Sequence, residues 1–125
     1  VRFVDTNVWM YAVGRPHPLR SEARALLRRS VVDRWRLVTS AEVLQELFHA
    51  YLPVGREQTL DAALRLVIAR SDVVALQRED VELARDLVSA HAGLGARDLV
   101  HLATATRIGA THLHTFDRGL AAAFG

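Results

Sequence analysis

Four carboxylates hold positions from which they could do chemistry together. Asp5 follows the short apolar run Val1 to Val4, and Asp117 follows the run His112 to Phe116, so each stands at the carboxyl end of a predicted strand. Glu46 falls just beside an apolar sector of Val43, Leu44, Leu47, Phe48 and Tyr51 on a helix predicted over 40–52, at about 100° per residue. Asp98 lies one step from the stripe of Leu99, Leu102, Ala103 and Thr106 on a helix predicted over 96–108. Acids at the edge of a buried stripe line clefts more readily than acids on the opposite face. Converging carboxylates repel one another and are costly to keep ionised without a cation between them. The economical partner is a hard divalent ion, Mg²⁺ or Mn²⁺, held by oxygen ligands. Such an ion in a carboxylate cluster is a standard means of cutting phosphodiesters, because it clamps the phosphate and activates water.

Each acid also has a structural alternative. Asp5 and Asp117 suit helix caps, Asp98 suits the positive end of a helix dipole, and Glu46 suits a nearby Arg. Glu42 is set aside, because Thr39-Ser40-Ala41-Glu42 matches a capping box. The six histidines show no His-x-x-x-His spacing. His101, three residues after Asp98, reads as a packed core histidine, with support of the site as the other option. His112 and His114 alternate along a strand and so share a face. Trp9 and Tyr11, near Asp5, read as core packing in preference to base-stacking platforms.

The elements that must position these residues alternate in kind. Val1 to Val4, Leu37-Val38, Val73 to Leu76 and His112 to Phe116 read as short strands. Thr6 to Ala12 reads as a short helical turn, and Gly14-Arg15-Pro16-His17-Pro18 as a loop. Leu19, Ala23, Leu26, Leu27 and Val31 recur at helical spacing, as do Leu60, Ala63, Leu64, Val67 and Ile68. Val81, Ala84, Leu87 and Val88 mark a further helix that Gly93 and Gly95 end, and a short helix closes the chain. The alternation predicts an α/β fold: a three-layer α/β/α sandwich around a short parallel sheet of four to five strands. Ligands of such sheets bind outside the carboxyl ends of the strands.

The composition narrows the chemistry. The 125 residues suit one domain over 1–125, and half of them are apolar, enough for a real core. Cysteine is absent, which excludes disulfides, zinc–thiolate sites, iron–sulfur clusters and thiol catalysis, and fits a reducing cytoplasmic setting. No apolar run approaches the roughly 20 residues of a membrane span. All 16 basic residues are Arg, against 14 acids, for a net charge of +2. The pI of 9.9 reflects the high pKa of Arg more than a large excess of charge, so it argues only weakly for a nucleic-acid partner. The Arg-rich stretch from Arg15 to Arg36 reads as a solvated helix face.

Four segments in order carry a resemblance that spans nearly the whole chain. Val-Arg-Phe-Val-Asp5-Thr6-Asn7-Val-Trp9, then Val38-Thr39-Ser40 leading to Val43-Leu44-Gln45-Glu46-Leu47, then Ala96-Arg97-Asp98-Leu99-Val100-His101-Leu102-Ala103, then Thr115-Phe116-Asp117-Arg118-Gly119 resemble PIN-domain nucleases. The chain most resembles VapC-type toxins of bacterial toxin–antitoxin pairs. The resemblance implies a Mg²⁺- or Mn²⁺-dependent endoribonuclease that cleaves cellular RNA (tRNA, rRNA or mRNA) through metal-activated water. Translation is thereby inhibited until a VapB-type antitoxin neutralises the toxin. The implied metal ligands are Asp5, Glu46 and Asp98, with Asp117 binding directly or through water. Thr6 would fix the site, and Asn7 and Thr115 would give polar support. Homodimers, and an antitoxin segment bound in a groove near the site, are further implications. Arg118-Gly119 departs from relatives that carry an acid or Asn there, which weakens the fourth ligand position. Relatives commonly continue into a last short strand, so four strands with at most a trimmed edge are expected.

Other classes fit less well. A haloacid-dehalogenase-like phosphotransferase wants a second Asp at position 7, which is Asn, and a receiver domain wants a late Lys, which the chain lacks. A catalytically inactive PIN-like RNA- or protein-binding module remains as the alternative, but a phosphate binder gains nothing from clustered acids.

Overall fold

In a computed structural model covering residues 1–125, the strands are β1 (Arg2–Val4), β2 (Leu37–Ser40), β3 (Asp72–Val74) and β4 (His112–His114). All are parallel, in the order β3-β2-β1-β4. Parallel neighbours need crossovers, and helices supply them. Helices α1 (Thr6–Val13) and α2 (Arg20–Val32) join β1 to β2, and α3 (Ala41–Tyr51) and α4 (Glu57–Arg70) join β2 to β3. Helices α5 (Arg78–Leu87) and α6 (Ala96–Arg107) join β3 to β4, and α7 (Arg118–Phe124) follows. The expected α/β sandwich is thus observed, with four strands.

Burial follows position in the sheet. In the central strands Phe3, Val4, Leu37 and Val38 are buried, whereas edge strand β3 is largely exposed and β4 buries only Leu113. The main core joins Phe3, Val4, Leu37 and Leu113 to Val8 and Trp9 of α1, Leu27 of α2, Val43 and Leu47 of α3, and Leu60 and Val67 of α4. From β1 the chain moves to β2 and β3 on one side, then returns to place β4 on the other. The crevice at the carboxyl ends of β1 and β4 is therefore the topological switch point, where such sheets bind ligands.

Several local readings shift. Ser40, not Thr39, caps α3: its Oγ accepts from the Val43 amide at 3.4 Å, while buried Thr39 donates to the Val4 carbonyl at 2.9 Å. Glu42 therefore closes no capping box there. Helix α5 begins before Val81, because the Asp80 carboxylate accepts from the Gln77 amide at 2.9 Å and fixes the first turn. Thr106 leaves the buried stripe of α6 and satisfies its hydroxyl on the Leu102 carbonyl, and His101 takes a buried place instead. Phe48 is 44% exposed, so the apolar sector of α3 is narrower than its sequence suggests.

Candidate active site

Asp5 opens the site at the end of β1, where its amide donates to the His114 carbonyl and prolongs the pairing with β4. Its buried carboxylate accepts from the Thr6 amide through Oδ1 and from the Thr115 hydroxyl through Oδ2, each at 2.7 Å. Thr115 Oγ1 also accepts from Asn7 Nδ2 at 3.2 Å and from the Asp117 amide at 3.0 Å. Asn7 Oδ1 in turn accepts from the Phe116 amide at 3.2 Å. Asn7 and Thr115 thus lock the segment after β1 to the segment after β4.

Helix α3 brings in Glu46 from the other side of the crevice. Glu46 Oε2 accepts from Thr6 Oγ1 at 2.5 Å, and Oε1 lies 2.7 Å from His101 Nε2. The same imidazole nitrogen is 3.6 Å from Asp5 Oδ1, with the His101 side chain only 1% exposed. Donor atoms of Asp5, Glu46 and His101 all lie within 4.8 Å of one another. His101 is therefore both the packed histidine expected, tilted against Phe3, and a member of the acid cluster. Its signal in the sequence was its place three residues beyond Asp98, on the same side of a helix.

The other two acids stand farther out. Asp98 lies in the first turn of α6 and does not join that tight three-residue group. Its carboxyl is nevertheless held above its ordinary pKa, first by burial and then by the like charges of Asp117, Asp5 and Glu46. Asp117 is exposed and caps α7, its Oδ1 accepting from the Leu120 amide at 2.9 Å. The cap and the charge felt at Asp98 are compatible roles for one carboxylate.

The electrostatics describe a pocket short of positive charge. Burial pushes the Asp5 carboxyl up, outweighing the His101 charge and the hydrogen bonds from Thr115 and Thr6. Burial also acts against the Glu46 carboxylate, but hydrogen bonds from His101 and Thr6 more than offset it and leave its pKa lowered. Burial opposes the imidazolium of His101, yet Glu46 and Asp5 raise its pKa overall. The basic groups acting on the acids are thus the His101 imidazole and Arg97, whose charge acts on Glu46. Hard oxygen donors in mutual repulsion fit a divalent cation such as Mg²⁺.

The aromatic residues near Asp5 divide. Trp9 is fully buried in the core. Tyr11 is half-buried and stacks on His17.

The family model described as "PIN domain" matches residues 2–124. Ribonuclease VapC23 of Mycobacterium tuberculosis is 57% identical over 98% of this chain and 97% of its own length. Among solved structures, VapC20 of Mycobacterium tuberculosis, described as a sarcin-ricin loop cleaving toxin, superposes with a TM-score of 0.80 at 19% identity. That match covers 98% of this chain and 95% of VapC20. A toxin–antitoxin complex from Klebsiella pneumoniae matches with a TM-score of 0.69 at 18% identity, over 97% of this chain and 91% of the other. At those identities the structures speak for the fold alone.

Proposed function

The chain belongs to the PIN domain family, in its VapC-type branch, and from that premise we propose that it is a divalent-metal-dependent endoribonuclease toxin. The observation that carries the proposal is the meeting of Asp5 and Glu46 at the switch point, with the Asp98 carboxyl pushed up by burial and by the acids around it. In this reading Asp5, Glu46 and Asp98 hold the cation, and Asp117 binds it directly or through water. When bound, Mg²⁺, or Mn²⁺ in its place, supplies charge neutralisation, a clamp on the scissile phosphate and activation of the attacking water.

The chain's own residues do the positioning. Thr115 and the Thr6 amide orient the two oxygens of Asp5, and the Thr6 hydroxyl orients Glu46 Oε2. Asn7 fixes Thr115. His101 Nε2 holds a proton against Glu46 Oε1 and offsets negative charge in the pocket. Hydrolysis leaves a 5′-phosphate and a 3′-hydroxyl. A module that merely bound RNA would be repelled by this cluster.

Partners follow from other surfaces. A groove of about 400 Å³, beside the last turn of α1 and away from the acid cluster, is lined by Leu27, Leu66, Arg24, Arg28 and Arg70. It suits an amphipathic, acidic segment of a VapB-type antitoxin. Phe48 of α3 and Leu52 just past its end, four residues apart, are 44% and 51% exposed and suit a homodimer contact. The whole of residues 1–125 acts as one catalytic unit in the cytoplasm, where its RNA is.

The test is purified protein on total cellular RNA with Mg²⁺, Mn²⁺ or EDTA, beside the Asp98→Ala protein, with 5′ ends mapped. Discrete metal-dependent cuts bearing 5′-phosphates, absent from the variant, are expected. Equal cutting by folded Asp98→Ala protein refutes the assignment.

A further inference from the structure

The loop between α1 and α2 carries an aromatic stack that neither the core nor the acid cluster uses. Tyr11 and His17 lie face to face, with ring centroids 3.9 Å apart and planes 8° from parallel. His17 is exposed, so its outer face is open to solvent. A histidine recruited for core packing would be covered.

The stack is held ready. Pro16 and Pro18 flank His17 and restrict the backbone on both sides. His17 Nδ1 accepts from the Leu19 amide at 3.0 Å, which fixes the ring's rotation and leaves Nε2 carrying the proton. The loop is anchored behind the ring as well. The Gly14 amide donates to the Met10 carbonyl at 2.8 Å, and a Cβ at Gly14 would lie 2.8 Å from that same oxygen, so no larger residue fits without a shift. Arg20 Nη2 donates to the Gly14 carbonyl, also at 2.8 Å.

Its position and charge point to a ligand. Asn7 and Tyr11 are four residues apart on α1, about 6 Å along the axis. Phe116, whose amide Asn7 holds, places its ring 5.6 Å from Tyr11 and is followed directly by Asp117. A continuous line of contacts therefore runs from the acids to the exposed ring. Arg15 and Arg56 line the hollow beside Tyr11 and His17, which has no acidic wall, and neither makes an ion pair. Arg56 lies over the Tyr51 ring at 5.9 Å, still without an acidic partner. An open aromatic face beside guanidinium groups free of acids is what an unpaired base and its phosphate require.

We propose that the Tyr11–His17 stack, with Arg15 and Arg56, binds an unpaired base of the RNA close to the scissile phosphate and so helps to choose the cleavage site. The proposal rests on the ribonuclease reading above. It makes the substrate a single-stranded or looped RNA whose base stacks on His17 while Arg15 meets the adjoining phosphate. Because the ring is already fixed, little ordering accompanies binding.

The test uses a single-stranded RNA oligonucleotide spanning a cut mapped in total RNA, with abasic nucleotides substituted one at a time around the cut. Stacking of one base is worth about 1 to 3 kcal/mol, so His17→Ala should raise KM roughly 5- to 150-fold with kcat little changed. One abasic position should raise KM equally for the wild type and have no further effect on His17→Ala. His17→Phe should restore both the KM and the sensitivity to that position. A ring that only braced the loop would lower the melting temperature without this loss of positional sensitivity. If His17→Ala cuts with unchanged KM and unchanged preference, the stacking site is wrong and the ribonuclease stands. The same holds if only antitoxin binding weakens, because the surface would then belong to a protein partner. If the wild type makes no metal-dependent cut, both readings fall.

Discussion

Thr115 is the residue on which the candidate site's geometry most depends, because one hydroxyl meets Asp5, Asn7 and the Asp117 amide. Thr115→Val keeps the shape, removes these hydrogen bonds and leaves Asp5 Oδ2 unheld. The expected result is a 10- to 100-fold loss of metal affinity or cleavage, in line with outer partners of metal ligands, at a stability cost of about 1 to 3 kcal/mol. Metal titration by calorimetry, with a denaturation curve beside it, separates the two effects. A second expectation concerns His114, which stacks on Trp35 at 5.5 Å while Arg2 covers the same indole at 3.6 Å. Burial first, then the Arg2 and His112 charges, lower its pKa to about 4. The folded protein keeps this ring neutral where the unfolded chain protonates it, near pH 6.5. Its contribution to stability is complete above pH 6.5, falls as pH drops from there toward 4, and is constant below. Solvent at the half-exposed ring holds the effect to about 1 to 2 kcal/mol. Because Asp5 and His101 titrate in the opposite sense, the measurement is the difference between wild type and His114→Phe across pH 4 to 7. A difference independent of pH would show that the ring titrates normally. The acids were legible in the sequence because strand ends and stripe edges mark them. The partner of His101 was not, because an imidazole on a buried stripe looks the same whether it packs on Phe3 or bonds to Glu46, 55 residues away.

At the scale of elements, the pair α5–α6 shows what periodicity can and cannot reveal. The apolar rhythm of Val81, Ala84 and Leu87 marks α5 and that of Leu99, Leu102 and Ala103 marks α6, but neither rhythm shows how the helices are joined. The tie is polar: Arg107 near the end of α6 reaches Asp80 at 2.5 and 3.1 Å, and the Asp80 side chain is fully buried. Asp80 also accepts from the Gln77 amide, so one carboxylate starts α5 and fastens α6. Its pKa is lowered because the Arg107 and Gln77 hydrogen bonds outweigh burial. Arg107→Met keeps much of the side-chain volume but strands that carboxylate. Removing one partner of a buried pair typically costs 3 to 5 kcal/mol, and with Arg107 26% exposed about 2 to 3 kcal/mol is expected. Urea denaturation measures it, and a change below about 0.5 kcal/mol would show that water already satisfies Asp80. The sequence concealed this clamp because Gln77 is not a usual cap and because ion pairs between helices leave no period. The cap of α3 lies one residue beyond the position its sequence suggests for a related reason: Thr39 and Ser40 are both able caps, and only the demand of the Val4 carbonyl for a donor decides between them.

At the scale of the molecule, the strand order determines where charge collects. Leaving β1 toward β2 and returning to β4 gathers the carboxyl ends of β1 and β4, the middle of α3 and the start of α6 around one crevice. The parallel fold and its crevice were legible because strands and helices alternate in the sequence. The division of the Arg-rich stretch was not: Arg24 and Arg28 turn to a groove with Leu66 and Arg70, whereas Arg29 pairs with Asp33, and only the packing of α2 and α4 beside each other on α1 makes that distinction. Gathering acids from separate elements has a thermodynamic consequence. Without a cation, their repulsion opposes the fold that unites them: at Asp98, burial first and then the charges of Asp117, Asp5 and Glu46 hold the carboxyl above its ordinary pKa. Asp98→Asn removes one of the repelling charges, so this variant should melt higher than wild type in EDTA. With Mg²⁺ at 100 times its dissociation constant, the wild type should gain about 2.7 kcal/mol, or roughly 10 °C, because only the folded chain assembles the ligands. The variant should gain far less, so the two melting curves should exchange order as Mg²⁺ is added. Differential scanning calorimetry across a Mg²⁺ series detects the crossing. An equal Mg²⁺ shift in both proteins would mean that the cation binds elsewhere, and a lower melting point for the variant in EDTA would mean that Asp98 holds the fold more than it strains it.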